Sequence, residues 1–477
     1  MNWLEYNEPF EDDDGLGSLE EKVRHYQKII RNPAKSKKEW PGVDIIETLV
    51  DYCLSTERYK DALEFCGIWL DYLPQSADAF HKRAVILYQL NNPKEALRSI
   101  EQANRFAPAD KDILLTKALI CDQMGNVKSG LEILDSILSS DPGNEDALFR
   151  KALLLQSSEN YKEALKLLIY LENIEFNPEE IWQELANCYH NLGDFQSSES
   201  YYKKALSLKP FDYLIWYNLG VMYGSRGANY RAIDCYKNSL AIKSDFISSL
   251  FNLGNSYSAQ GRLVEAIDAF QNLLEITPDD IDTMFNLGGA FADNKQYLSA
   301  IEYYTKVISL EPNYHQAYFG RGYCYDNLDD YENALKDYNF ALNYLPDSIM
   351  LLQAKADLLY NSGNLKASLS VYLQALELSP YDEHSLFDVA QLYFELNDLE
   401  NSELYVKKLI DTSYSYSDAW FLLAKINMSR NNEKKAFKCL IEAIKIDGTK
   451  YDEFITDFFQ SGKFQELKNR LDKNIKP

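Results

Sequence analysis

Three asparagines at one register, Asn218, Asn252 and Asn286, are the residues whose type and spacing best suit a chemical task. A primary carboxamide donates and accepts at once, so a row of them satisfies the N–H and C=O groups of an extended peptide without reading its side chains. Each follows an aromatic residue, Tyr217, Phe251 or Phe285, and Phe319 carries the aromatic row one copy further. Asn187 and Asn255, three places later in their own copies, would extend the site. With neighbouring helices about 10 Å apart and an extended chain advancing about 3.3 Å per residue, each amide would hold roughly every third residue of a ligand. The competing reading is that these amides merely suit an exposed helical face and that the aromatics pack on the next helix pair.

Groups for catalysis are not gathered anywhere. His25, His81, His190, His315 and His384 lie far apart, and no HExxH, no paired Cys-x-x-Cys and no phosphate-cradling Gly-rich loop occurs. The glycines of "GVMYGSRG" at Gly220 sit within a helix pair and its turn. No cofactor or metal is expected, and the chain does not read as an enzyme.

The elements that must carry the asparagines come from a repeat. "WYNLGVMY" at Trp216, "LFNLGNSY" at Leu250 and "MFNLGGAF" at Met284 begin 34 residues apart, each followed by a turn and a second apolar helix pattern. A large apolar residue, a Leu, a Gly and an aromatic fall at relative positions 4, 7, 8 and 11, along one side of a helix. With Val43 as position 1, the frame runs without insertion to Lys450, as twelve units. Position 8 is Ala or Gly in every unit except the first, which has Val50, and position 20 is always Ala, Gly or Ser. Two helices whose axes approach within roughly 8–10 Å cannot both place long side chains where they cross. Proline at position 32, in eight of the units, ends the second helix.

This pattern resembles the tetratricopeptide repeat (TPR), a 34-residue helical hairpin. The resemblance implies an all-α, right-handed superhelical solenoid of about twelve hairpins, with positions 5 and 6 facing a concave groove. In that setting Asn218, Asn252 and Asn286 resemble the asparagine ladder of the TPR superhelix in O-linked N-acetylglucosamine transferase. The family's two-lysine carboxylate clamp is not expected, because position 5 holds no Lys in any unit. The domain reading is an acidic, disordered tail over 1–17, an N-terminal capping helix and turn over 18–42, twelve units over 43–450 and C-terminal capping helices over 451–477. Ser18 with Glu21 forms a capping box ahead of the stripe Leu19, Val23, Tyr26 and Ile30. Trp3, Leu4, Tyr6 and Phe10, set among acids, suit either a disordered tail or a short docking peptide.

A net charge of −24 argues against a nucleic-acid partner, because phosphate binding draws on Lys and Arg. It favours basic protein segments, but it equally suits a solvated, self-repelling exterior that keeps a long array soluble. Position 2 is acidic through the first five units, Asp44 to Glu180, which suits a basic partner but equally suits the first turn of any helix. Seven cysteines, at packing positions, indicate a reducing compartment. No basic-then-apolar leader and no membrane-spanning run is read, so cytoplasmic residence is expected. The function expected is a non-catalytic protein-interaction scaffold that holds an extended or basic segment of another protein in its concave groove. The alternatives are a self-associating assembly protein, or an adaptor that recruits a separate enzyme; oligomeric state is left open.

Overall fold

The computed structural model describes residues 18–31 and 41–458, and every regular element among them is helical. The expectations for the tail 1–17, most of the connecting turn and the segment after Phe458 fall outside the described residues. Ser18 caps α1 (Leu19–Ile30): its hydroxyl accepts from the Glu21 N–H at 3.2 Å while the Glu21 carboxylate accepts from the Ser18 N–H at 3.3 Å.

The chain forms two compact units, divided between Arg226 and Gly227, and α1 belongs to the first. In the first, helices follow as α2 (Val43–Ser55), α3 (Tyr59–Tyr72), α4 (Ala77–Gln89), α5 (Pro93–Phe106), α6 (Lys111–Gln123) and α7 (Val127–Ser140). They continue as α8 (Glu145–Ser157), α9 (Tyr161–Asn173), α10 (Pro178–Asn191), α11 (Phe195–Leu208) and α12 (Tyr213–Ser225). The second unit holds α13 (Asn229–Ile242), α14 (Ile247–Ala259), α15 (Leu263–Ile276), α16 (Ile281–Asp293), α17 (Tyr297–Leu310), α18 (His315–Asn327) and α19 (Tyr331–Tyr344). It ends with α20 (Ile349–Asn361), α21 (Leu365–Leu378), α22 (Glu383–Glu395), α23 (Leu399–Thr412), α24 (Ser417–Ser429), α25 (Glu433–Ile446) and α26 (Lys450–Phe458). The fold is all-α, about twelve helical hairpins in series, with each second helix starting 34 residues after the last, from Tyr59 to Glu433. Only α9 stops early, at Asn173, because Asn177-Pro178 displaces the break to the start of α10.

Local chemistry writes the helix ends. Asn or Asp side chains accept from the third residue on at many starts, among them Asn92, Asn144, Asp280 and Asp382. The turn inside each hairpin puts position 15 in the left-handed region, with φ from 55° at Asn91 to 81° at Gly193. Five of these residues are Gly, whereas Glu57, Glu159 and Lys295 hold the same geometry with long side chains. The following N–H closes the helix end, as Arg262 does by donating to the Tyr257 carbonyl at 2.9 Å.

Packing explains the small residues. Ala62, Ala84, Ala96, Ala118, Ala266 and Ala300 are fully buried where paired helices cross. A Cβ built on Gly254 would lie 2.5 Å from Phe270 Cε1, and one on Gly288 or Gly322 would lie 2.9 Å from the ring of Tyr304 or Tyr338. Gly faces an aromatic at position 24 in these three hairpins, and Ala118, Ala152 and Ala424 share their hairpins with the smaller Leu134, Leu168 and Leu440, whereas Ala186 and Ala356 stand in hairpins that carry Tyr202 and Tyr372, so the volume match holds hairpin by hairpin and not as a rule of the array. The one large residue at position 8, Val50, is accommodated because position 24 of its hairpin is Cys66, in the same buried cluster. Two of the basic residues at position 7 pair with an acid on a neighbouring second helix: Lys151 Nζ reaches the exposed Asp135 at 2.6 Å, and Arg321 makes two bonds of 2.8 Å to the buried Asp337. All seven cysteines are free and buried. At the far end Phe454 on α26 is buried in the final cluster.

Candidate functional site

The candidate site is the face made by the first helices of successive hairpins. In the second unit α14 lies beside α16, α16 beside α18, and α18 beside α20, so equivalent positions form rows across that face. Asn252 and Asn286 are half-buried in one such row. The Asn286 amide donates to Asn255 Oδ1 at 3.3 Å, so position 9 of one hairpin meets position 6 of the next. The first unit repeats this geometry where Lys82 Nζ meets Asp51 at 2.5 Å. Asn218 is half-buried on α12, in the first unit.

Asn187 is placed differently in kind. Its amide donates to Glu184 Oε2 at 3.1 Å and its oxygen accepts from the Tyr202 hydroxyl, so both ends of the carboxamide serve its own hairpin. Burial pushes the neighbouring Glu184 carboxyl above its usual range.

The aromatics at position 5 form a half-buried floor. Phe251 packs on Phe270 at 6.2 Å between ring centres, Phe285 lies between Tyr304 at 5.7 Å and Tyr314 at 5.2 Å, and Phe319 leans on Tyr338 at 5.8 Å. These rings brace the hairpin and still show an edge to solvent, as does Tyr217 on α12. Gly289 and Gly320 follow on the same face, and a Cβ on Gly320 would come 2.5 Å from the Tyr304 ring.

Past the amides the face turns acidic along a diagonal that sequence reasoning missed. Asp326, Asp357 and Asp388 occupy positions 12, 9 and 6 of three consecutive hairpins, so they recur every 31 residues, one helical turn short of the repeat. The Tyr372 hydroxyl donates to Asp357, and His384 Nδ1 meets Asp388 Oδ2 at 2.9 Å. Burial, then the charges of Asp357 and Asp329, push Asp326 up to about 6. Burial likewise raises Asp357, against the Tyr372 bond that lowers it, and the Asp388 bond raises His384. Such a row suits a cationic side chain, which would relieve the repulsion among the three carboxylates. No group of metal-ligating residues stands among the described residues, and no described helix is long and apolar enough to cross a membrane.

Comparison with known families finds profiles described as "Tetratricopeptide repeat" over residues 179–212, 281–314, 303–336, 351–382 and 417–450, and one described as "TPR repeat" over 254–295. No curated protein matches the chain. Among solved structures, a tetratricopeptide repeat protein from Parabacteroides merdae ATCC 43184 is 20% identical, covering 53% of this chain and 99% of that one, with a TM-score of 0.42. The APC/C hetero-tetramer Cut9-Hcn1 is similar at 11% identity over 91% of this chain and 97% of the other, with a TM-score of 0.40. MamA from Desulfovibrio magneticus RS-1 is 19% identical over 35% of this chain and 95% of that one, with a TM-score of 0.34.

Proposed function

This chain belongs to the tetratricopeptide repeat family, and from that premise we propose that it is a protein-interaction scaffold whose first-helix face holds an extended, basic segment of another protein. The observation that carries the proposal is the continuity of polar groups on one face of the second unit. Asn252, Asn255 and Asn286 offer neutral amides over an aromatic floor, and Asp326, Asp357 and Asp388 follow on the next three hairpins. Amides suit the backbone of a ligand whatever its sequence, and the acidic diagonal selects Lys or Arg where the ligand passes it. On the first unit, Asn218, Tyr217 and Asn187 are proposed as a peptide-binding group of its own first-helix face. An extended ligand gives up its freedom on binding, so affinity rests on several hairpins acting together. We propose a non-catalytic role in the cytoplasm.

The test is selection from a library of unstructured peptides of about 12 residues, enough to cross four helices at about 10 Å each. Selected peptides are expected to carry Lys or Arg, and Asn252→Ala with Asn286→Ala is expected to abolish their binding without changing helicity or melting. Binding that survives the double variant refutes the amide row. Peptides without basic residues refute the acidic diagonal.

A further inference from the structure

The opposite register of the same hairpins carries a second pattern, independent of the first-helix face. Position 18 is the second residue of each second helix, where the side chain stands in water; it is Lys in six hairpins, Glu in two and Gln in one. On three consecutive second helices of the second unit, α13, α15 and α17, it is Tyr230, Val264 and Leu298, which are 70%, 69% and 74% exposed. Single exposed apolar residues are ordinary, but three at one register on consecutive helices form a ridge. Four residues on, at position 22, the same three helices carry Asp234, Asp268 and Glu302, all exposed, whereas this position is of mixed charge elsewhere. Asp268 is bonded to Asn272 at 3.4 Å and Glu302 to Lys306 at 2.7 Å, contacts within their own helices that leave both carboxylates at the surface.

We infer that Tyr230, Val264 and Leu298, with the acidic row Asp234, Asp268 and Glu302 one turn further along the same helices, form a docking ridge for a basic amphipathic helix of a partner protein. The charges decide the occupant: an apolar row edged by acids, on a protein of net charge −24, is matched by apolar residues edged by Lys or Arg. The spacing decides its form. Second helices of successive hairpins stand roughly 10 Å apart or a little more, which is seven to eight residues of a helix at about 1.5 Å each. An apolar residue at every seventh place of the partner meets the ridge, and Lys or Arg one turn away reaches the acids. The alkyl stems of those basic residues cover the apolar side chains as their heads reach the carboxylates. This surface lies on the second helices, so its occupant need not compete with a segment held by the first helices.

The probe is a synthetic helical peptide with Leu at every seventh position and Lys one turn after each, beside a control in which Glu replaces Lys. Binding to the full chain is measured by fluorescence anisotropy. The Lys peptide is expected to bind, to weaken with salt, and to lose about tenfold or more on Val264→Gln with Leu298→Gln. Those changes keep the net charge and install the residue that Gln196 already provides at this register, so melting is expected to be unchanged. Asn252→Ala with Asn286→Ala is expected to leave this binding intact, which separates the ridge from the first-helix face. The inference is overturned by absence of binding, by equal binding of the Glu control, or by equal affinity in the Gln double variant. It is also overturned if sedimentation shows a concentration-dependent dimer that the Gln double variant dissolves, because the ridge would then belong to a second copy.

Discussion

Replacing Gly254 by alanine adds one methyl group, and the structure says where it must go: 2.5, 2.7 and 2.8 Å from three carbons of the Phe270 ring. Phe270 is fully buried on α15, so the ring cannot swing into solvent and either the ring or the helix pair must shift. Overpacking of this kind costs typically about 1–3 kcal/mol. Phe270→Leu alone leaves a void and is expected to cost about 1–2 kcal/mol, below the full aromatic-to-alanine range because most of the side chain remains. Together the two changes recreate the Ala and Leu pairing of Ala118 with Leu134 and Ala152 with Leu168. The double variant is therefore expected to be more stable than the sum of the singles by about 1–3 kcal/mol. A long repeat array need not melt as one unit, so hydrogen exchange of α14 and α15 is the sounder measure beside urea denaturation. Strict additivity of the two changes, or a Gly254→Ala variant as stable as the parent, refutes the volume matching of Gly254 with Phe270 in this hairpin.

Asp326→Asn tests the acidic diagonal. The folded carboxyl titrates near 6, above the unfolded value of roughly 4, so the folded chain holds the extra proton between them and stability falls as pH rises through that window. The variant is expected to raise stability by about 1 kcal/mol at pH near 7.5, after allowance for screening of a half-exposed group, and by much less near pH 4; thermal melts giving an equal shift at both pH values reject the cause. Lys295→Gly removes a side chain from the left-handed position at φ 59° and is expected to stabilise by about 0.5–1 kcal/mol, whereas Gly261→Ala, at φ 69°, is expected to destabilise by about 1 kcal/mol or more. Urea midpoints moving the other way would remove the strain argument. Asp337→Ala strands the Arg321 guanidinium and is expected to cost about 3 kcal/mol, most of it recovered when Arg321→Leu is added, because Leu253 and Leu287 fill that register in neighbouring hairpins. A double variant as unstable as Asp337→Ala alone would show that the pair matters for more than its charges.

The frame was readable because helix crossings tolerate so few side chains. Small residues at positions 8 and 20 announce those crossings wherever they occur, and the second helices do start every 34 residues. What stayed hidden was whatever no single residue type marks. The left-handed turn position is filled by Gly, Asn, Asp, Glu or Lys, so no composition signal reveals it. Val50 breaks the small-residue pattern at position 8, and its explanation, Cys66 in the same buried cluster, is a tertiary contact that position 8 does not carry. The diagonal of Asp326, Asp357 and Asp388 steps back one turn per hairpin, so alignment of the repeats scatters it over three columns. Asn187 and Asn255 share a column but differ in what they bond: one is tied to Tyr202 and Glu184 within its hairpin, and the other reaches across to Asn286. Register alone cannot tell these two apart, because the difference lies in the neighbour at position 24, Tyr202 in one and Phe270 in the other.

Photocrosslinking decides most directly which face receives an extended ligand. A selected basic peptide carrying a benzophenone at its centre is irradiated with the full chain, and the joined residues are read by mass spectrometry. The account predicts attachment to α14, α16 and α18, around Phe251, Asn286 and Phe319, and loss of attachment in the Asn252→Ala and Asn286→Ala variant. Attachment confined to α13, α15 and α17, unaffected by that variant, would contradict it.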